Sequence, residues 1–306
     1  MLHLFALLGV LSISFSAIFV RLAHVSPVTA TFFRCAYAVP ILAAIWMARK
    51  GQDHRTRRER EVALLSGLIL AVDLAIWHES IAFIGAGLGT VIANVQVVFV
   101  ALAAWLLFGE KPRGRTLAIV AFVLAGVALT SGLAGHDAYG SRPIAGVVLG
   151  VLAGVAYAAY LLVFRAATQS DAPTVGPLLD STIGAAAGAL LCALFDRHFS
   201  IVPAWPAHLW LVLLAIVSQV VGWLMIAAVM PKLPAIETSI MLLLQPVGSV
   251  LWGTLFFAEH LSTLQWLGTA IVLGGVALHS LVGSRESEAR AEHPPLAKAR
   301  HSVSFD

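Results

Sequence analysis

The chain has 306 residues, of which 59% are hydrophobic and only 11% charged, with a formal net charge of +3. A soluble domain carries about a quarter charged residues, so a soluble globular fold is excluded, and this small excess of positive charge offers no basic face for nucleic acid. Two cysteines, Cys35 and Cys192, both inside apolar stretches, make neither a disulfide framework nor a metal site.

The apolar residues fall into recurring blocks, each long enough to cross a hydrocarbon core of ~30 Å as a helix. In lipid the backbone groups must pair within the segment, which leaves helices or closed barrels. The wealth of Ala, Leu and Gly, with little alternation, speaks against a barrel. Taken in chain order, spans are expected at 3–20, 28–48, 62–82, 87–108, 115–132, 144–164, 174–195, 207–229, 235–257 and 264–283. No Lys or Arg precedes the first span, so a cleaved leader is not expected. The third span follows the charged run 55–61, and only Gly85, Gly87 and Gly89 divide it from the fourth. The fourth ends at Gly109-Glu110-Lys111-Pro112. Residues 284–306 are polar, hold Pro294-Pro295, and are expected to form a disordered cytoplasmic tail.

Ten spans with the N-terminus inside place fifteen Lys and Arg on the cytoplasmic side, including the run from Arg49 to Arg60. Only Arg21, Arg142 and Arg197 then lie outside, while Arg34 is within a span. That asymmetry obeys the positive-inside rule and puts both termini in the cytoplasm.

Shifted by 149 residues, the chain overlays itself. Gln96 falls on Gln245, Phe108 on Phe257, Glu110 on Glu259, and Gly126-Val127-Ala128-Leu129 on Gly275-Val276-Ala277-Leu278. Over positions 96–129 thirteen residues are identical. A repeat unit of five spans is odd, so its two copies have opposite orientation, an architecture frequent among secondary transporters. The expected organisation is all-α and polytopic: a first five-helix repeat at 1–133, a second, inverted one at 144–283, and the tail.

Several motifs resemble the EamA-type transporters of the drug/metabolite transporter superfamily. They are Ser14-Phe15-Ser16-Ala17-Ile18-Phe19-Val20-Arg21 with Phe33-Arg34, then Asp73-Leu74 with Trp77-His78, and Leu107-Phe108-Gly109-Glu110, echoed by Glu259. The resemblance covers about 3–283. It implies a ten-helix inner-membrane carrier, often an exporter of amino acids or other metabolites. Its cavity would be lined largely by the third, fourth, eighth and ninth helices. Members often carry a proline in the fourth helix where this chain has Val97, whereas the second half keeps Pro246. The fourth helix is therefore expected to be straighter.

Ionisable groups at membrane depth cost at least ~2.5–3.5 kcal/mol on insertion scales, so each is a functional candidate. Asp73 is the sharpest. At 100° per residue it shares a face with Ser66, Trp77 and Ser80. Such a carboxylate can bind an ammonium group or carry a proton, with the indole stacking on a cation. Its alternative is a structural ion pair with Arg34. Arg34 itself reads as structural, and aligning Pro27 with Pro173 offers Asp180 as a partner in the other half. His78 and Glu79 point away from the Asp73 face. They are read as reaching the outer interface, with an outer proton relay at His78 as the other reading. Glu237 fits a helix N-terminus, and Glu110 and Glu259 fit a structural corner. Thr90 and Asn94 share a face of the fourth helix, and Gln96 and Gln245 are repeat equivalents. Tyr157 and Tyr160 follow the small-residue pair Gly150 and Gly154 on the sixth helix. The expected substrate-binding or coupling set is thus Asp73, Trp77, Ser66, Ser80, Thr90, Asn94, Gln245 and Tyr157.

No HExxH, GxSxG or P-loop motif is present, which disfavours an enzyme or an ATP-driven pump. The reading is a multi-pass secondary transporter of the bacterial inner membrane, exporting amino acids, amines or drug-like metabolites, with proton coupling through Asp73 as a further expectation. Its partners are a small-molecule substrate and membrane lipid, with no cofactor. A passive channel or facilitator shares this architecture. A nucleotide-sugar or sugar-phosphate exchanger would ask for several basic residues at depth, where only Arg34 stands.

Overall fold

The computed structural model describes residues 2–108, 140–168, 172–202, 204–232, 244–258 and 261–275, together with positions 114, 118, 121, 122, 125, 126, 129, 242 and 278. Glu110, Glu237, Glu259, most of the fifth expected span and the tail lie outside the described residues.

The helices start and stop where local chemistry dictates. Helix α1 covers Leu2–Ser14 and α2 covers Ser16–Ala23, separated by a turn at Phe15. In α3, Pro27–Met47, the N-cap Ser26 accepts from the backbone N–H of Thr29 and Pro27 occupies the first turn. Helix α4, Arg57–Ile84, opens with a capping box between Thr56 and Glu59. It stops at Gly85, whose φ of 86° suits a residue without Cβ. The short α5, Ala86–Ala93, follows at once. After a turn at Asn94-Val95 the chain continues as α6, Gln96–Phe108.

Further on come α7, Pro143–Ala167, and α8, Val175–Ala193. Helix α9 runs Ala207–Val229 and contains a π-helical stretch, Leu214–Gly222. It is followed by α10, Leu244–Phe257, and α11 at 263–275. The expectation of a straighter fourth span fails. The helix breaks at Asn94-Val95 without a proline, and the Val97 and Val98 N–H groups donate to carbonyls three residues back, those of Asn94 and Val95. Thr90 Oγ1 and Asn94 Nδ2 also bond back to the carbonyls of Ala86 and Thr90, a local competition that bends helices.

Among the described residues, six helices are long and apolar enough to cross a membrane: Leu4–Ala23, Pro27–Met47, Arg57–Ile84, Pro143–Ala167, Val175–Ala193 and Ala207–Val229. Their outer faces are as apolar as their cores. Leu65, Leu68 and Val72 of α4 and Leu190, Leu191 and Leu194 of α8 are exposed. Water would penalise such a surface and lipid does not, so the chain is a multi-pass membrane protein.

Helix α4 is the central element, packed along both α7 and α8, while α9 packs along α1 and α3. Glycines permit the closest of these crossings. A Cβ on Gly67 of α4 would lie 1.9 Å from the Ser181 carbonyl oxygen, and one on Gly184 of α8 would lie 2.1 Å from that of Leu64.

Candidate functional site

A small cavity of about 40 Å³ lies where seven helices meet, α1 lining it through Ile13. Helix α4 contributes Asp73 and, one turn on, Trp77; α5 contributes Thr90 and, one turn on, Asn94. Tyr157 comes from α7 and Gln245 from α10, so six residues expected at a site line one space. Arg34 of α3 and Trp223 of α9 complete the wall.

Asp73 is 5% exposed, and its carboxylate makes no hydrogen bond to any described residue. Arg34 lines the same cavity, yet the two do not form an ion pair. Tyr157 and Trp223 meet edge to face with centroids 6.4 Å apart. Other polar atoms around the core also lack a partner among the described residues: Asn94 Oδ1, Gln245 Oε1, Trp223 Nε1, Tyr160 O–H and both ends of the Gln96 amide. Buried polar atoms are nearly always bonded; of these, Asn94 Oδ1, Gln245 Oε1 and Trp223 Nε1 belong to residues that line the cavity, whereas Gln96 and Tyr160 do not line it. Close approach of α7 shapes the site as well, since a Cβ on Gly154 would lie 2.9 Å from the Ala93 carbonyl oxygen.

Ser66 and Ser80 are not at this cavity. Ser66 Oγ donates to Ser181 Oγ at 3.0 Å, and Ser80 Oγ donates to the Gly146 carbonyl at 2.7 Å. Each lies seven residues from Asp73, roughly 10 Å along the axis. Sharing its angle does not bring them to its depth, and they join α4 to α8 and α7 instead.

The expected pairing of Arg34 with Asp180 is also corrected. Arg34 Nε donates to Gln219 Oε1 at 2.7 Å and Nη1 to Ser16 Oγ at 3.0 Å. Asp180 instead stands 2.8 Å from Arg55 Nη1. Arg55 is buried, and its other edge is bonded to both carboxylate oxygens of Asp53, at 2.8 and 2.9 Å. Trp46 Nε1 donates to Asp53 as well. The Arg55 hydrogen bond, reinforced by that of Trp46, holds the Asp53 carboxyl well below the usual carboxylate range.

A second, larger cavity of about 570 Å³ lies beside the C-terminal end of α4, bordered by Arg21, His24, His78, Ile81 and Phe83. His78 does not reach out to an interface. It is 1% exposed, with Nδ1 3.1 Å from Thr31 Oγ1 and 3.2 Å from the Pro27 carbonyl oxygen. Trp77 lines the inner cavity and His78 the outer one, so consecutive residues of α4 separate the two spaces. Sequence reasoning missed Gln219 and Trp223. The signal for Gln219 is an amide in the middle of an apolar span; Gln96 and Gln245 stand out instead as equivalents under the 149-residue shift.

Comparison with known proteins fits this arrangement. YwfM of Bacillus subtilis, described as an uncharacterized transporter, is 24% identical over 256 residues, covering 83% of each chain. An uncharacterized protein of Pseudomonas aeruginosa is 30% identical over 210 residues, 68% of this chain and 70% of its own. A solved crystal structure shares the fold with a TM-score of 0.67 at 18% identity, covering 93% of this chain and 98% of that one. The sequence model of the EamA-like transporter family matches residues 1–132 and 144–281. With both halves of the chain matched and the helices gathered around one polar cavity, this protein is a member of the EamA-like transporter family.

Proposed function

We propose that the protein is a secondary carrier, exporting small metabolites with an ammonium group, such as amino acids or amines, across the bacterial inner membrane. The observation that carries this is Asp73: a carboxyl group in the middle of a membrane helix, without a hydrogen-bond partner among the described residues, facing a cavity walled by Trp77, Tyr157 and Trp223. An acid among aromatic faces suits a cation. Asn94 Oδ1 and Gln245 Oε1 add neutral acceptors. The same carboxylate, exchanging a proton when no cation is present, would couple export to the proton gradient.

The carrier would consist of ten helices in two inverted five-helix repeats. The packing supports this reading by its exchange of partners: α4 of the first half lies on α7 and α8 of the second, and α9 of the second lies on α1 and α3 of the first. Helices α6 and α10 also coincide under the 149-residue shift. Two such halves can rock about a central site.

The test is counterflow in liposomes with labelled amino acids, amines and nucleotide sugars, run beside Asp73→Asn. Saturable exchange of an amino acid or amine is expected, reduced at least about tenfold by the substitution, in line with loss of a charged hydrogen bond. Exchange of nucleotide sugars alone, or unsaturable leakage, would overturn the reading. Transport by Asp73→Asn with an unchanged pH dependence would remove proton coupling from it.

A further inference from the structure

We infer that Arg34 is a specificity-determining residue of the central cavity, receiving the carboxylate of the transported molecule, and that Gln219 is the positioning residue that aims it. This rests on the carrier reading above and assigns the substrate's acidic end, which that reading leaves open.

Arg34 sits seven residues into α3 and is 2% exposed. A guanidinium at that depth is normally matched by an anion. Here its Nε and Nη1 donate to two neutral acceptors, Gln219 Oε1 and Ser16 Oγ. Neutral partners fix direction without cancelling charge. Nη2 bonds to no described residue. The cavity therefore presents a held cation and, from α4, the Asp73 carboxyl, with no salt bridge between them. That pattern complements a zwitterion whose ammonium meets Asp73 and whose carboxylate meets the fork of Arg34.

Gln219 is itself fixed. Its Nε2 donates to Thr182 Oγ1 at 3.3 Å, and the Thr182 proton is spent on the Leu178 carbonyl at 2.7 Å. The amide oxygen can then only face Arg34. Gln219 lies in the π-helical stretch of α9, where it and the adjacent Ser218 are both fully buried. Such wide turns are rare and recur at functional sites. Through this one amide the guanidinium of α3 is tied to α8 and α9.

The experiment uses the full chain in liposomes. Counterflow of labelled α-amino acids is measured against unlabelled competitors, each the amine left by decarboxylation of the same amino acid. Wild type should bind the amine at least about tenfold more weakly than the amino acid, the loss expected for one charged hydrogen-bonded contact. Gln219→Leu should raise KM for the amino acid by about the same factor, with kcat within about twofold, and leave the amine's inhibition constant unmoved. Gln219→Glu keeps a hydrogen bond to Arg34 and supplies an anion of its own. It should therefore fold as wild type, judged by monodisperse elution, and raise that KM further. Variants that weaken amine and amino acid alike, or folded Gln219→Glu with an unmoved KM, would overturn the inference. Wild type that handles amines alone would overturn it and leave the carrier reading standing. Exchange of neither would overturn both.

Discussion

At Arg55, two residues before α4, one guanidinium ties Asp53 from the turn after α3 to Asp180 of α8. Because the hydrogen bond from Arg55 depresses the Asp53 carboxyl, the folded protein binds this proton less tightly than the unfolded chain. The stabilisation is full above the unfolded value of about 3.9 and is lost as pH falls through the folded one. The melting temperature in detergent should therefore drop on acidification below about pH 4 more steeply for wild type than for Asp53→Asn. At pH 7 the variant should be less stable by about 2 kcal/mol, the scale of a hydrogen bond to a charged group. Parallel acid curves for the two proteins would show that Asp53 contributes no such linkage. The same cluster explains what one-dimensional reading could and could not see. Asp73 was legible because a charge in an apolar span is conspicuous whatever surrounds it. The Arg55–Asp180 pairing was not, because which residue of one helix faces which residue of another is set by packing, and Arg55 lies within the charged run 55–61, which marks only where the third span begins. Ser66 and Ser80 were misplaced because a helical wheel keeps angle and discards depth.

The crossing of α4 with α8 depends on missing side chains. Gly184→Val should disrupt it, since the first added carbon already meets the Leu64 carbonyl oxygen at 2.1 Å and backbone cannot yield as a side chain does. The expected loss is at least about 2 kcal/mol, read as a lower melting temperature and a poorer monodisperse yield. Gly51, whose Cβ would meet nothing, is the control, and equal effects at both positions would refute a role for close approach. Among the elements, long apolar runs with clear caps were legible, as the agreement at Pro27–Met47 and Ala207–Val229 shows. The interruptions inside spans were not. The breaks at Phe15 and Asn94-Val95 and the π-helical stretch carry no Pro or Gly at their centres, and arise from side chains bonding back to the helix and from contacts with neighbours.

For the whole molecule, the distribution of Lys and Arg sets the expected topology, with both ends and the turn after α3 in the cytoplasm. A fluorescent protein fused after residue 283 should fold and shine, and alkaline phosphatase at the same place should stay inactive. The reverse pattern would invert the molecule and move the Arg55 cluster to the outer face. The central cavity of about 40 Å³ holds only a few waters, so a metabolite would enter only as the helices that line it part.

The exchange of partners between halves also bears on how the protein is made. Helix α4 carries the buried Asp73 and packs chiefly on α7 and α8, which begin only at residues 143 and 175. During synthesis α4 must therefore enter the bilayer before its partners exist, its acid temporarily facing lipid or the insertion machinery. The contacts of α4 with α7 and α8 can therefore form only once the chain beyond residues 143 and 175 has been made.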